Sequence, residues 1–203
     1  MLKFITRSLI SPNFPPDLLP LLYQPPSLVK FQPRPVPHPS HLSIKPILDP
    51  SHPAHGQYGL FTKRRISPSE LIIPYLGIIH HTFIPLDDPN SPSEAGDTAV
   101  DEEQESDYDL SLVRISSHDP NNPRKGWHVS IGVDAAKAGN AARFVNDYRG
   151  IAVSPNAEFR IGTGEGGEVR MEIWSLKKGL GKGEEVLVSY GKSWWNARRT
   201  DGS

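Results

Sequence analysis

Short runs in which polar and apolar residues alternate recur from residue 58 onward, and they limit the folds open to this 203-residue chain. Residues 108–112, 129–133 and 169–173 each place apolar side chains at every second position, as a half-buried strand requires. Further strand-like runs, each flanked by Gly, Pro, Ser or Asn, cover residues 58–64, 71–75, 157–161 and 185–189. Only residues 135–142 have the composition of a helical turn, and they are too few to be stable alone. We therefore predict a mainly β fold with few short helices.

Prolines set the first quarter of the chain apart, because 13 of the 21 lie in residues 1–53. Proline has no amide hydrogen and a fixed φ, so neither a helix nor a central strand is expected to run through this part. We predict an N-terminal arm or linker over residues 1–49, draped over the domain through apolar side chains: Leu18, Leu19, Leu21 and Leu22. A ligand for a proline-binding module is the alternative interpretation. The domain itself is predicted over residues 50–200.

An acidic segment interrupts that domain. Residues 87–107 contain nine acidic side chains and no basic one, and they include Pro89, Pro92 and Gly96. Such a segment repels itself and buries little apolar surface, so we predict a disordered loop. The rest of the chain has 22 basic and 23 − 9 = 14 acidic residues, a net charge of +8. The folded part is therefore expected to be basic.

Several classes of chemistry are excluded or disfavoured by the residues present. The chain has no Cys, which excludes disulfides, a thiolate nucleophile and Cys-ligated zinc. All eight His lie at or before His128, so no Ser–His pair can form within the C-terminal half. No third ligand clusters with His80 and His81 or with His52 and His55, and we predict no metal site. The longest apolar run, residues 71–79, is broken by proline and glycine and is far shorter than a membrane span. The glycine-rich stretch 162–167 lacks the Lys of a phosphate-binding loop and is interpreted as a hairpin turn.

Four segments occur together in an order and spacing that resembles the SET domain, the β-rich family of protein-lysine methyltransferases. They are HGQYGLF at 55–61, YLG at 75–77, GNAARFVNDYRGIAVSPNA at 139–157 and GEEVLVSYG at 183–191. The resemblance covers about residues 50–195. It implies a fold of short sheets with a C-terminal pseudoknot, with S-adenosylmethionine as cofactor and a lysine-bearing protein or peptide as partner. A cysteine-bound zinc module, present in many relatives, is not implied here.

The resemblance assigns residues to the cofactor. Gln57 and Tyr58 stand in the G-x-G-L turn of the family, although Gln57 occupies the place of its first glycine. Arg143 and Asn146 match the R-F-x-N part of the next motif. The resemblance implies that Arg143 helps to shape the pocket and that Asn146 hydrogen-bonds the amino-acid end of the cofactor. Asp147 replaces the family's His and would face the ammonium or the sulfonium. Trp194 is expected to cover the adenine.

The last motif of the family, E-L-x-x-D-Y-G, assigns the catalytic residue. Tyr190 matches its tyrosine, which lies at the point of methyl transfer, and Ser189 replaces the Asp. Tyr75 and Tyr108 would flank the channel for the substrate lysine. The expected reaction is an SN2 transfer of a methyl group to a neutral lysine amine, aided mainly by alignment. The aromatic channel favours the neutral amine because it removes the ammonium from water.

Two alternatives stay open at the level of sequence. The altered motifs are also typical of a SET-like module that binds cofactor or peptide without turnover. The basic character also suits a β domain that binds nucleic acid, although no motif indicates nucleic acid specifically. The family resemblance suits a nuclear or cytoplasmic protein. Lys3 and Arg7, with no acid before Asp17, are also compatible with a mitochondrial presequence.

Overall fold

The computed structural model describes residues 2–23, 39–85, 106–164 and 166–191. Thirteen strands are found in these ranges: β1 (Lys3–Phe4), β2 (Leu9–Ile10), β3 (Leu42–Pro46), β4 (Tyr58–Thr62), β5 (Leu71–Tyr75), β6 (Ile78–Pro85), β7 (Asp109–Ile115), β8 (Trp127–Asp134), β9 (Ala138–Gly139), β10 (Asn146–Asp147), β11 (Ala157–Thr163), β12 (Val169–Ser175) and β13 (Leu187–Val188). One short α-helix, α1 (Leu19–Tyr23), follows a 3-10 helix at Pro16–Leu18, and two further 3-10 helices are Pro39–His41 and Ala141–Phe144. The predicted mainly β fold of short sheets is thus confirmed.

The strands form five small sheets. The largest has the order β2-β6-β8-β7, and a three-stranded sheet has the order β11-β12-β5. Pro74 lies within β5, which is an edge strand of its sheet, the place where a strand tolerates a residue without an amide hydrogen. β11 and β12 form the predicted hairpin around the glycine-rich turn. Three two-stranded sheets complete the set: β3-β4, β1-β9 and β10-β13.

One hydrophobic core joins the two larger sheets. Its fully buried members include Ile72 of β5, Ile131 of β8, Ile173 of β12 and Val188 of β13. Side chains of the predicted arm also belong to this core, because Leu18 and Leu22 are 0% and 1% exposed. β1 and β2 pair with β9 and β6, so the arm contributes strands as well.

The predicted boundary between residues 49 and 50 separates β3 from its partner β4, although the two are paired over five positions from Leu42↔Thr62 to Pro46↔Tyr58. The arm itself packs on the core through the apolar run that follows Pro16, because proline is tolerated at the start of a helix and the leucines then have a buried face. Of the predicted acidic loop only residues 106 and 107 are described, so that prediction lies mostly outside the described residues.

The predicted helical turn at 135–142 is wrong. The chain there forms β9, which pairs in parallel with β1, and a 3-10 helix begins only at Ala141. Asn140 ends the extended segment and caps that helix, since its side chain accepts a hydrogen bond from the Ala142 amide. No helix in the described ranges has the length and apolar character needed to cross a membrane.

Candidate active site

The two C-terminal motifs meet in the structure. β10 and β13 pair in parallel, with Asn146 opposite Leu187 and Asp147 opposite Val188. The side chain of Asn156 reinforces this pairing, because it donates to the Glu185 carbonyl at 2.8 Å and accepts from the Leu187 amide at 2.8 Å. Val188, a member of this pair, is fully buried. Residues 143–147 and 185–190 are therefore held together by backbone and side-chain hydrogen bonds.

Tyr190 is fixed at both ends of the residue. Its hydroxyl donates to the Val145 carbonyl at 2.7 Å, and its backbone amide donates to Asp147 Oδ2 at 2.7 Å. Burial raises the pKa of the Tyr190 hydroxyl well above its ordinary value, and the negative charge of Asp147 raises it further. The hydroxyl is therefore protonated at neutral pH, and its acceptor belongs to the residue directly before Asn146.

Asp147 is buried, and its carboxylate is turned toward donors of the chain itself. Besides the Tyr190 amide, it accepts from the Arg149 amide at 2.9 Å and from Arg149 Nη1 at 2.9 Å. A buried carboxylate needs such donors to offset its loss of hydration. In this structure Asp147 holds Tyr190 to β10; the contact with a cofactor cation stays a prediction.

Asn146 presents one end of its amide to the protein. Its Nδ2 donates to Glu185 Oε1 at 2.7 Å and lies 3.4 Å from the Tyr58 carbonyl. Both partners are oxygen acceptors, so the nitrogen of the amide must face them. The amide oxygen of Asn146 is consequently the end that can accept a hydrogen bond from a ligand.

Tyr75 and Tyr108, the predicted lysine-channel residues, are in contact. The Tyr75 hydroxyl donates to the Tyr108 carbonyl at 2.7 Å, and the Arg143 guanidinium lies 3.9 Å from the centre of the Tyr108 ring. Arg143 also donates through Nε to the Ala135 carbonyl at 2.9 Å. Burial, and secondarily the charge of Asp134, raises the pKa of Tyr75. This cluster keeps two aromatic rings and a cation in fixed positions beside the 143–147 segment.

Tyr58 is the exposed aromatic residue of the site. More than half of its surface, 54%, is accessible, and its ring packs edge-on against Phe144 at 6.1 Å between centroids. Gln57 is exposed in the preceding turn, where its backbone amide donates to the Ala54 carbonyl and its backbone carbonyl accepts from the Ile47 amide. The predicted adenine cover, Trp194, lies outside the described residues.

Two residues of this site were missed in the sequence. Glu185 lies within the last motif, but the sequence assigns it no role, whereas in the structure its carboxylate contacts Asn146 and, at 3.2 Å, His52 Nε2. His52 precedes the first motif, and because no third ligand clusters with it and His55, the sequence assigns it no role. Within the described ranges no group of three or more His, Cys, Asp or Glu side chains has the arrangement of a metal site.

Several solved structures align with this chain, all with TM-scores below 0.5. A humanised mutant of the Chaetomium thermophilum Polycomb Repressive Complex 2 bound to an inhibitor aligns over 75% of this chain and 15% of its own, at 21% identity and a TM-score of 0.45. A crystal structure of the Chaetomium thermophilum Polycomb Repressive Complex 2 aligns over 74% of this chain and 15% of its own, at 23% identity and a TM-score of 0.42. A ctPRC2 structure in an autoinhibited conformation bound to S-adenosylmethionine aligns over 79% and 17%, at 22% identity and a TM-score of 0.45. The present chain thus spans less than a fifth of the length of each of these matched chains.

No curated protein matches the chain by sequence. The sequence pattern that defines the SET domain, in contrast, matches residues 57–191. That range contains 135 of the 203 residues, about two thirds of the chain, and includes both motifs that meet at β10 and β13. The chain therefore belongs to the SET domain family.

Proposed function

We propose that this protein is an S-adenosylmethionine-dependent protein-lysine N-methyltransferase. The observation that carries the proposal is the hydrogen bond from the Tyr190 hydroxyl to the carbonyl of Val145, the residue directly before Asn146. Tyr190 and Asn146 are 44 positions apart in the sequence, and the pairing of β10 with β13 joins the two motifs that contain them. Membership of the SET domain family supports the same reaction class.

The residues present suit this cofactor in charge and in hydrogen-bonding groups. Asn146 offers an amide oxygen to an ammonium group, and the carboxylate of Glu185 lies directly behind it. The exposed ring of Tyr58 and the positioned Arg143 would border the rest of the molecule. When bound, S-adenosylmethionine supplies an electrophilic methyl group attached to a positively charged sulfur. The uncharged amide oxygen of Asn146, backed by the carboxylate of Glu185, favours the binding of such a cation.

The lysine substrate would enter beside Tyr75, Tyr108 and Tyr190. An unperturbed lysine has a pKa of about 10.4 and cannot act as a nucleophile while protonated. Removal from water among aromatic side chains favours the neutral amine. The protonated hydroxyl of Tyr190 and the Val145 carbonyl are fixed to each other, so they can orient the amine without reorganising. These groups position the nucleophile and do not transfer its proton.

The substrate class that follows is a protein or peptide that presents a lysine side chain to this site. We place this protein in the nucleus or the cytoplasm, with the mitochondrion, reached through an N-terminal presequence, as the alternative. Microscopy of the tagged chain would distinguish these compartments.

The first test is cofactor binding. Titration calorimetry with S-adenosylmethionine should detect a complex with a dissociation constant below about 1 mM, a binding free energy of about −4 kcal/mol or better. Absence of binding at that concentration would overturn the proposal. If duplex DNA or RNA then bound with steep salt dependence, the nucleic-acid alternative would replace it.

The second test is the Tyr190→Phe variant. We expect it to bind the cofactor as the wild type does but to transfer labelled methyl groups to proteins of a cell extract at least about 10-fold more slowly, because the oriented hydroxyl is lost. Tyr23→Phe is the matched control, because it removes a hydroxyl from an exposed residue outside the family motifs. It should leave the rate unchanged. Equal rates for wild type and Tyr190→Phe would show that the catalytic assignment is wrong. Cofactor binding without any transfer by the wild type would favour the inactive binding module.

A further inference from the structure

His52 belongs to none of the family motifs, but its side chain contacts Glu185 in the candidate active site. Its Nε2 is 3.2 Å from Glu185 Oε2, and the side chains of the two residues are 9% and 10% exposed. The contact joins residues 133 positions apart in the sequence. An almost fully enclosed imidazole that touches an almost fully enclosed carboxylate is a built arrangement and not a chance surface encounter.

The position of the proton on the His52 ring follows from its other nitrogen. Nδ1 accepts a hydrogen bond from the Ala54 amide at 3.0 Å, and a ring nitrogen that accepts carries no proton. The proton of the neutral ring is therefore on Nε2, and His52 donates it to Glu185. The direction of the hydrogen bond is thus set by the backbone of the loop.

That loop is itself well determined. Asp49 Oδ1 accepts from the Ser51 amide at 2.9 Å and from the Ser51 hydroxyl at 2.7 Å, which forms a tight turn directly before His52. The His52 amide then donates to the Asp49 carbonyl at 3.1 Å. These bonds fix the backbone of residues 49–52, from which the imidazole extends toward Glu185.

Glu185 passes the constraint on to Asn146. One carboxylate oxygen accepts from His52 and the other accepts from Asn146 Nδ2 at 2.7 Å. Because a carboxylate can only accept, it forces the nitrogen of Asn146 inward and leaves the amide oxygen turned away from Glu185. Without a second donor, the carboxylate would be free to rotate away from this pose.

We propose that His52 is a positioning residue for the cofactor: through Glu185 it keeps the amide oxygen of Asn146 oriented as the acceptor for the ammonium group of S-adenosylmethionine. This inference rests on the proposed function and adds a residue that none of the SET-like motifs in this chain contains. His52 itself does not touch the cofactor. Its effect is therefore on cofactor affinity and not on the rate at saturation.

The experiment compares wild type with His52→Ala, His52→Gln and His55→Ala. We expect His52→Ala to weaken S-adenosylmethionine binding in calorimetry by about 10-fold, the scale at which loss of a partner that orients a ligand-binding group is felt. In methyl-transfer assays its KM for the cofactor should rise while kcat at saturating cofactor stays within about 2-fold. His52→Gln, whose amide nitrogen can donate to Glu185, should recover most of the affinity. His55→Ala, an exposed histidine of the same loop, should bind as the wild type does.

The outcomes separate this inference from the proposed function. If the wild type binds no cofactor, the proposed function fails first. If the wild type binds and His52→Ala binds equally well, the positioning role is refuted while the function stands. A thermal unfolding curve for each variant distinguishes lost orientation from lost folding, because His52→Gln and His52→Ala should then differ in affinity at similar Tm. Equal weakening of affinity in both would also contradict the proposal, since only one of them lacks the donor.

Discussion

A side chain at Gly59 would collide with the carboxylate of Glu185 unless that carboxylate moved. A β-carbon built on Gly59 would be 2.6 Å from Glu185 Oε1 and 2.9 Å from Ile47 Cδ1. Glu185 could yield only by releasing Asn146, to which it is bonded. The absence of a side chain at this position therefore maintains the site.

The Gly59→Ala variant should be destabilised by about 1–3 kcal/mol, the usual cost of forcing an extra methyl group into a packed site. It should also bind S-adenosylmethionine more weakly, since the displaced carboxylate no longer orients Asn146. Denaturant unfolding and calorimetry measure the two effects. Gly166→Ala is the control, because it is exposed and its nearest neighbour is the flexible end of Glu168. A wild-type affinity in Gly59→Ala would mean that the Glu185 carboxylate can move without consequence.

The sequence identifies individual residues of the candidate site only where they belong to a family motif. Asn146 and Tyr190 are recognisable because the family has the same residue types at matching positions. His52 is not, since its role depends on a hydrogen bond to Glu185 across 133 positions. The replacement of the family's His by Asp147 is also interpretable only in the structure, where its carboxylate binds the amide of Tyr190. Hydrogen-bond direction is a property of three-dimensional geometry, and alternation of residue types does not encode it.

At the scale of elements, the proline-rich first quarter contains structure that proline content alone does not predict. Pro16 begins the 3-10 helix Pro16–Leu18, and α1 follows it directly. Leu18 and Leu22 then lie in the same core as the strands of both larger sheets. Proline therefore sets where this helical segment begins but does not prevent it from packing.

Leu18→Ala should lower the free energy of unfolding by about 2–5 kcal/mol, as expected when a fully buried leucine is truncated. The matched control is Leu48→Ala, because Leu48 is 76% exposed and its truncation should change stability by less than about 0.5 kcal/mol. Denaturant titration followed by circular dichroism measures both. A change for Leu18→Ala as small as that for Leu48→Ala would indicate that residues 16–23 are not docked in solution.

Most strands are predictable from alternation, and the reason is local. β5, β8 and β12 alternate or run apolar within themselves, so each has a buried side regardless of its partner. The two-residue strands β9 and β10 are different, because they exist only through pairing with distant segments, whereas β13 lies within the predicted run 185–189. The alanine-rich stretch at 135–142 has helical composition, but its pairing with β1 outweighs that weak propensity.

For the whole molecule, one core and one site share the same residues. Tyr75 belongs to the core and also bonds to the Tyr108 carbonyl, while Tyr190 packs against the core and bonds to Val145. Loss of global packing would therefore disorganise the aromatic groups of the site at the same time. Stability and site geometry should respond together to conditions that ionise these tyrosines.

Alkaline pH tests this coupling. Burial raises the pKa of Tyr75 far above its ordinary value of about 10, so the folded protein retains a proton that the unfolded chain releases. Above about pH 10 the unfolded state thus binds fewer protons than the folded state, and stability must fall as pH rises, by up to about 1.4 kcal/mol per pH unit for this residue; below that pH its contribution is fully present. Tyr75→Phe should therefore lose stability less steeply than wild type in denaturant titrations between about pH 10 and pH 12. Tyr23→Phe, at a residue that is 49% exposed, should keep the wild-type slope. If Tyr75→Phe and the wild type share one slope, Tyr75 ionises within the folded protein, and its hydroxyl is not enclosed as the hydrogen bond to Tyr108 requires.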